Sequence, residues 1–143
     1  MNDIGLLALR LVVATVFIVA GAASLFEEGI DANIEGYQAM GIPLPALSAA
    51  FTAYVEFFGG LLFVLGVLTR LVSAGFIVVM AGAMIFVHAD HSLLPGPDGP
   101  GSALALVMGV ASIAFILTGP GRFSLDHYLI AQRKTGSRQH SRV

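Results

Sequence analysis

The chain has 143 residues, of which 57% are hydrophobic and 11% charged, against roughly a quarter charged in ordinary globular domains. It contains no cysteine, which excludes disulfides, thiolate catalysis, iron–sulfur ligation and thiolate zinc sites. The net charge of −2 averages over two ends of opposite sign, and the clustered cations suit orientation in a bilayer better than a nucleic-acid partner.

Four apolar runs follow one another: Ile4 to Phe26, Ala46 to Leu68, Leu71 to Val87 and Ser102 to Leu117. The third and fourth are shorter than the roughly 20 residues that cross a ~30 Å hydrocarbon core, and each gains a few residues from its flanks. The first run carries small residues at Ala20–Ala23, but its leading segment holds Asp3 and no lysine, so it reads as a span rather than a cleaved leader. All seven basic residues fall on one side of this pattern. Arg10 lies near the start of the first run and Arg70 in the turn between the second and third. Arg122, Arg133, Lys134, Arg138 and Arg142 follow the fourth. The connections Glu27 to Pro45 and His88 to Gly101 hold only acidic charges. Short loops rich in Lys and Arg stay cytoplasmic, so the expected fold is an all-α transmembrane four-helix bundle with both termini cytoplasmic. It is a multi-pass protein of the inner (plasma) membrane, with the lipid bilayer as its first partner.

The connection Glu27 to Pro45 is read as a polar outer loop, ending where Pro43 and Pro45 mark the start of the second span. Leu94 to Gly101 is nearly all turn formers and fixes the ends of the third and fourth spans. Residues 1–131 form one four-helix domain, and residues 132–143 a basic, disordered cytoplasmic tail. Small residues offer close packing between spans: Ala14 and Gly21 on the face of Arg10, Gly59 and Gly60 beside Glu56, Gly75 and Gly82, and Ala105, Gly109 and Ser112.

Glu56 sits in the middle of the second span, between Tyr54-Val55 and Phe57-Phe58. A carboxyl at that depth is costly unless protonated or paired, and marks a functional position by default. Arg10 is the expected partner. At about 1.5 Å of rise per residue it lies ~9 Å from the cytoplasmic end, and Glu56 lies ~18 Å from it. Arg10, Glu56 and Tyr54 therefore form the candidate intramembrane site, either an ion pair that sets helix register or a ligand site. His88 and His91, three apart at the outer end of the third span, offer a metal only with a third ligand of no fixed spacing, so they read as interfacial. A haem between histidines is set aside, because His88 and His91 lie on the side opposite His127 and His140. After the fourth span, Gly119-Pro120-Gly121 stops the helix, Ser124 is placed to cap a segment from Leu125 to Ala131, and Arg122 is placed to pair either with Asp126 or with lipid phosphate.

These features together resemble the DoxX family of small four-helix membrane proteins. The resemblance is carried by Leu9-Arg10-Leu11, Ala20-Gly21, Leu25-Phe26, Met40-Gly41-Ile42-Pro43, and Val55-Glu56-Phe57-Phe58-Gly59-Gly60 running on to Gly66-Val67-Leu68-Thr69-Arg70. Gly119-Pro120-Gly121-Arg122-Phe123-Ser124-Leu125-Asp126 closes it. Where family members often carry a lysine near the end of the first span, this chain has Ser24 nearby. The resemblance implies the fold, and a place in membrane redox chemistry: one relative is a subunit of a thiosulfate:quinone oxidoreductase, and others belong to oxidative-stress complexes. The expectation is a quinone-linked or redox-complex membrane subunit, with a redox protein as partner and Arg10, Tyr54 and the Phe57-Phe58 pair beside the quinone. The alternative is a non-catalytic anchor or assembly factor. A solute path through Glu56 requires a homo-oligomer, since four helices leave no room for a pore.

Overall fold

A computed structural model describes residues 3–90, 92–96, 99 and 101–128. Helix α1 (Asp3–Ala22) continues through a π-helical turn, Ala23–Glu27, into one rod. After α2 (Ile30–Ala39), the second rod is α3 (Pro45–Tyr54), a π-helical turn at Val55–Gly59, and α4 (Gly60–Leu65). The third is α5 (Thr69–Gly82) with a π-helical turn at Ala83–Val87, and the fourth is α6 (Ala103–Thr118). The first three rods, Asp3–Glu27, Pro45–Leu65 and Thr69–Val87, are long and apolar enough to cross a membrane. Helix α6 has 16 residues, about 24 Å at ~1.5 Å per residue, so it is the short member of the set.

Glycines set the packing register of the first two rods. A side-chain carbon added at Gly21 would strike the backbone of Phe57, and one at Gly60 would meet Ile18 Cγ1 at 2.6 Å and the Ala14 carbonyl at 3.3 Å. Gly66 lies against Arg10. Rising numbers on one rod thus meet falling numbers on the other, so the two run antiparallel with backbones close together, as small residues permit in lipid. Gly59 faces Phe76 and Gly75 faces Val55, while Gly82 has nothing near it. Four phenylalanines, one per rod, fill the centre. Phe17 stacks on Phe76 at 3.7 Å between centroids, and Phe63 meets Phe76 and Phe115 edge-on at 5.3 and 4.9 Å. All four are essentially inaccessible.

Three local expectations are revised. The connection after the first span is not an irregular loop, because α2 occupies most of it; Asn33 ties that helix down by donating to the carbonyls of Ser24 (3.1 Å) and Gly29 (2.8 Å). The cytoplasmic turn expected at Thr69-Arg70 begins earlier, at Gly66, whose left-handed backbone ends α4. Leu68 is left-handed as well, at a cost of about 1–2 kcal/mol for a residue with a side chain. Asp126 offsets that cost: its carboxylate accepts hydrogen bonds from the Leu68 and Thr69 amides, both at 2.9 Å, and so caps α5. It is therefore not the partner of Arg122, whose backbone amide donates instead to Asp3 at 3.3 Å. Ser124 does cap the following helical turn at 125–128, accepting from the His127 amide at 3.1 Å. His91, Pro97, Asp98, Pro100 and the tail from 129 onward lie outside the described residues.

Candidate functional site

Arg10 and Glu56 are both buried, at 2% and 7% exposure, but the fold does not bring them together. Arg10 donates to the carbonyls of Pro120, at 2.8 Å, and Phe123, and the Asp126 carboxylate supplies the opposite charge nearby. No ion pair to Glu56 exists among the described residues. The register explains this. Gly21, not Arg10, stands beside Phe57, and eleven residues of α1 separate the two by about 16 Å along the helix at ~1.5 Å each. Helical side chains also lean toward their own N-terminus. In antiparallel rods, Arg10 therefore leans toward the end that carries the termini and Glu56 toward the opposite, loop-bearing end. Tyr54 is 52% exposed and stacks on Phe58 at 6.0 Å on the outer surface. Residues two apart on a helix do not share a face, so it too leaves the site.

What surrounds Glu56 instead is a pair of cavities. The larger, about 480 Å³, lies between α2, α3 and the loop-bearing half of the third rod; Glu56 is in its wall with Tyr37, Thr52, Ser48, Phe51 and Phe86. The smaller, about 240 Å³, lies on the other side of the same carboxyl, among Val16, Phe17, Met80, Ala105 and His88. Glu56 sits in the π-helical turn Val55–Gly59, a wider coil that recurs at functional sites. Thr52 and Ser48, four and eight residues before it, project along the same helical face. The Ser48 hydroxyl donates to the Pro43 carbonyl at 2.7 Å, which leaves Thr52 and Tyr37 as the hydroxyls of the larger cavity. Burial raises the Tyr37 phenol above its ordinary range, the adjoining Thr52 hydroxyl works the other way, and the carboxylates of Glu56 and Glu28 add to the rise. Tyr37 is thus a neutral hydrogen-bond donor at any physiological pH.

Periodicity could have found Thr52 and Ser48, which stand one and two turns from Glu56. Tyr37 could not be found that way, because α2 folds back over the second rod. His88 borders the smaller cavity, and among the described residues no three His, Asp or Glu side chains cluster as a metal site would require.

The profile of the DoxX family matches residues 5–89. The chain is 29% identical over 135 residues to the Bacillus subtilis protein named "Putative oxidoreductase CatD", covering 94% of each chain. It is 30% identical to "Inner membrane protein YqjF" of Escherichia coli, covering 90% of this chain and 95% of the relative. A Haemophilus influenzae protein without an assigned function is 33% identical, over 83% and 86% of the two chains. No solved structure matches the chain significantly.

Proposed function

The chain belongs to the DoxX family of membrane proteins, and from that premise we propose that it is a quinone-linked subunit of a redox complex in the inner (plasma) membrane, with both termini cytoplasmic. The observation that carries this reading is the buried carboxyl of Glu56 in the wall of a cavity of about 480 Å³ that is otherwise apolar and aromatic except for the hydroxyls of Tyr37, Ser48 and Thr52. That volume lies within the roughly 300–1,000 Å³ of small-molecule sites, which pair an apolar lining with a few convergent polar groups. The site fits the two states of a quinone. Tyr37, which accepts a hydrogen bond from Thr52, donates to a carbonyl oxygen, and Glu56 either donates when protonated or accepts a quinol hydroxyl when ionised. Among the described residues no cationic side chain borders the cavity, which favours a neutral ligand.

A bound quinone supplies the two-electron, two-proton couple. The chain's part is to orient the ring between Phe51 and Phe86, hold its oxygens, and keep a proton-accepting group at one of them. Electrons come from a redox protein partner. The names of the relatives support the assignment in kind: one is named for oxidoreductase function and another for the inner membrane.

The test is retention. Isoprenoid quinone should copurify with the protein through detergent extraction, and Tyr37→Phe and Glu56→Ala should reduce the retained fraction while the fold persists by circular dichroism. Folded wild-type protein that carries no quinone and binds none when it is added back would rule this reading out and favour a non-catalytic anchor or assembly factor.

A further inference from the structure

We infer that Glu56 is a proton-exchange point between the two cavities, and that the smaller cavity connects its carboxyl to the loop-bearing end of the molecule while the larger holds the ligand. The inference rests on reading the larger cavity as a quinone site. Three features carry it. The same carboxyl lines both cavities. The smaller cavity runs from Glu56 to His88 and Gly101, where the third and fourth rods emerge at the loop-bearing end. Its volume of about 240 Å³ exceeds the roughly 10–15 Å³ that one water needs, and Glu56 and His88 stand as polar groups at its two extremes with apolar walls between.

The opposite direction is closed. Phe17 is part of the wall of the smaller cavity and stacks on Phe76, which packs against Phe63; Phe63 in turn meets Phe115. This four-ring cluster, one ring from each rod, stands between Glu56 and Arg10. A ligand in the larger cavity covers Glu56 on that side, so the smaller cavity is the route left to it. The titratable groups facing Glu56 are Tyr37 from α2 and His88 from the end of the third rod, with Glu28 acting on Tyr37. The first rod presents Val16, Phe17 and Ala20, and the fourth Leu104, Ala105 and Met108. Arg10, the charged side chain within the first rod, is held by the Pro120 and Phe123 carbonyls.

A consequence is directional. A quinone offers only acceptors, so it binds best when Glu56 is protonated, and the proton comes from water at the loop-bearing end. The experiment uses the full chain in proteoliposomes oriented through a C-terminal tag, with internal and external pH set separately. The probe is tritiated decylubiquinone, and protein-free vesicles give the partition background. Affinity should rise by up to tenfold per unit fall in pH at the loop-bearing face, and be indifferent to pH at the termini-bearing face. Glu56→Gln should remove the pH dependence, on either side, of whatever binding it retains. Ala105→Phe, which fills the smaller cavity, should slow the response to a pH jump without changing steady-state affinity. Affinity that follows pH at the termini-bearing face, or neither face, overturns the inference and leaves the quinone site standing. No binding above background at any pH overturns both.

Discussion

Arg10 and Glu56 show how one register changes the meaning of two charges. Each is a charged side chain at membrane depth, and each is satisfied or exploited by something the other does not touch. Arg10 secures the segment after the fourth rod by donating to the Pro120 and Phe123 carbonyls. Arg10→Ala strands both carbonyls and leaves Asp126 without the nearby cation, and should cost about 3–6 kcal/mol, since each hydrogen bond to a charged group contributes ~1.5–3 kcal/mol. The pairing is testable by double-mutant cycles on thermal unfolding in one detergent. Arg10→Ala with Asp126→Ala should be non-additive. Arg10→Ala with Glu56→Ala should add to within roughly 0.5 kcal/mol, as separated sites do. A coupling energy above ~1 kcal/mol between Arg10 and Glu56 would show that the two interact after all.

Among elements, the first two rods depend on glycine at particular turns rather than on glycine in general. Gly21 and Gly82 both lie in helical rods near a π-helical turn, yet the first is pressed against the Phe57 backbone and the second faces open space. Gly21→Ala should therefore lower stability by about 1–3 kcal/mol, the usual cost of overpacking. Gly82→Ala should be neutral or stabilise by up to ~1 kcal/mol, because alanine is the better helix former. Equal effects from the two substitutions would contradict the close approach at Gly21. The start of α5 depends on a residue 57 positions away from it: Asp126 caps the Leu68 and Thr69 amides. The motifs Gly66 to Arg70 and Gly119 to Asp126, far apart in sequence, are the two halves of this one joint, with Arg10 as its clasp.

For the whole molecule, the two ends differ in construction. At one end, Asp3, Gly66, Leu68, Arg122 and Asp126 are joined by backbone and carboxylate hydrogen bonds. At the other lie α2 and the mouths of the cavities. The charge pattern predicts that the first end faces the cytoplasm. A reporter fused after Val143 and another inserted at Asp98 should then report opposite compartments, the first cytoplasmic. The same compartment from both would contradict four spans, and a non-cytoplasmic reading at Val143 would invert the orientation.

Four apolar rods, their order, the proline at the start of the second and the abrupt end of the fourth were legible in the sequence, because hydropathy, proline and glycine act through local backbone chemistry. So was Glu56 as the position to question, since no context makes a mid-membrane carboxyl inexpensive. The serine cap at residue 124 was legible for the same local reason. Helix α2 was missed because its mixed, partly polar sequence carries no strong period, and it is held by packing on the second rod and by the hydrogen bond from Asn33 to Ser24. The partners of Arg10 and Glu56 were decided only by the tertiary structure. Sequence distance and helix rise allow the two to approach, but the contact of Gly21 with Phe57 sets a register that parts them, and side chains on antiparallel helices lean in opposite directions. Tyr37 reaches the site only because α2 folds back, and the division of the space around Glu56 into two cavities exists only once four rods and four phenylalanines have packed.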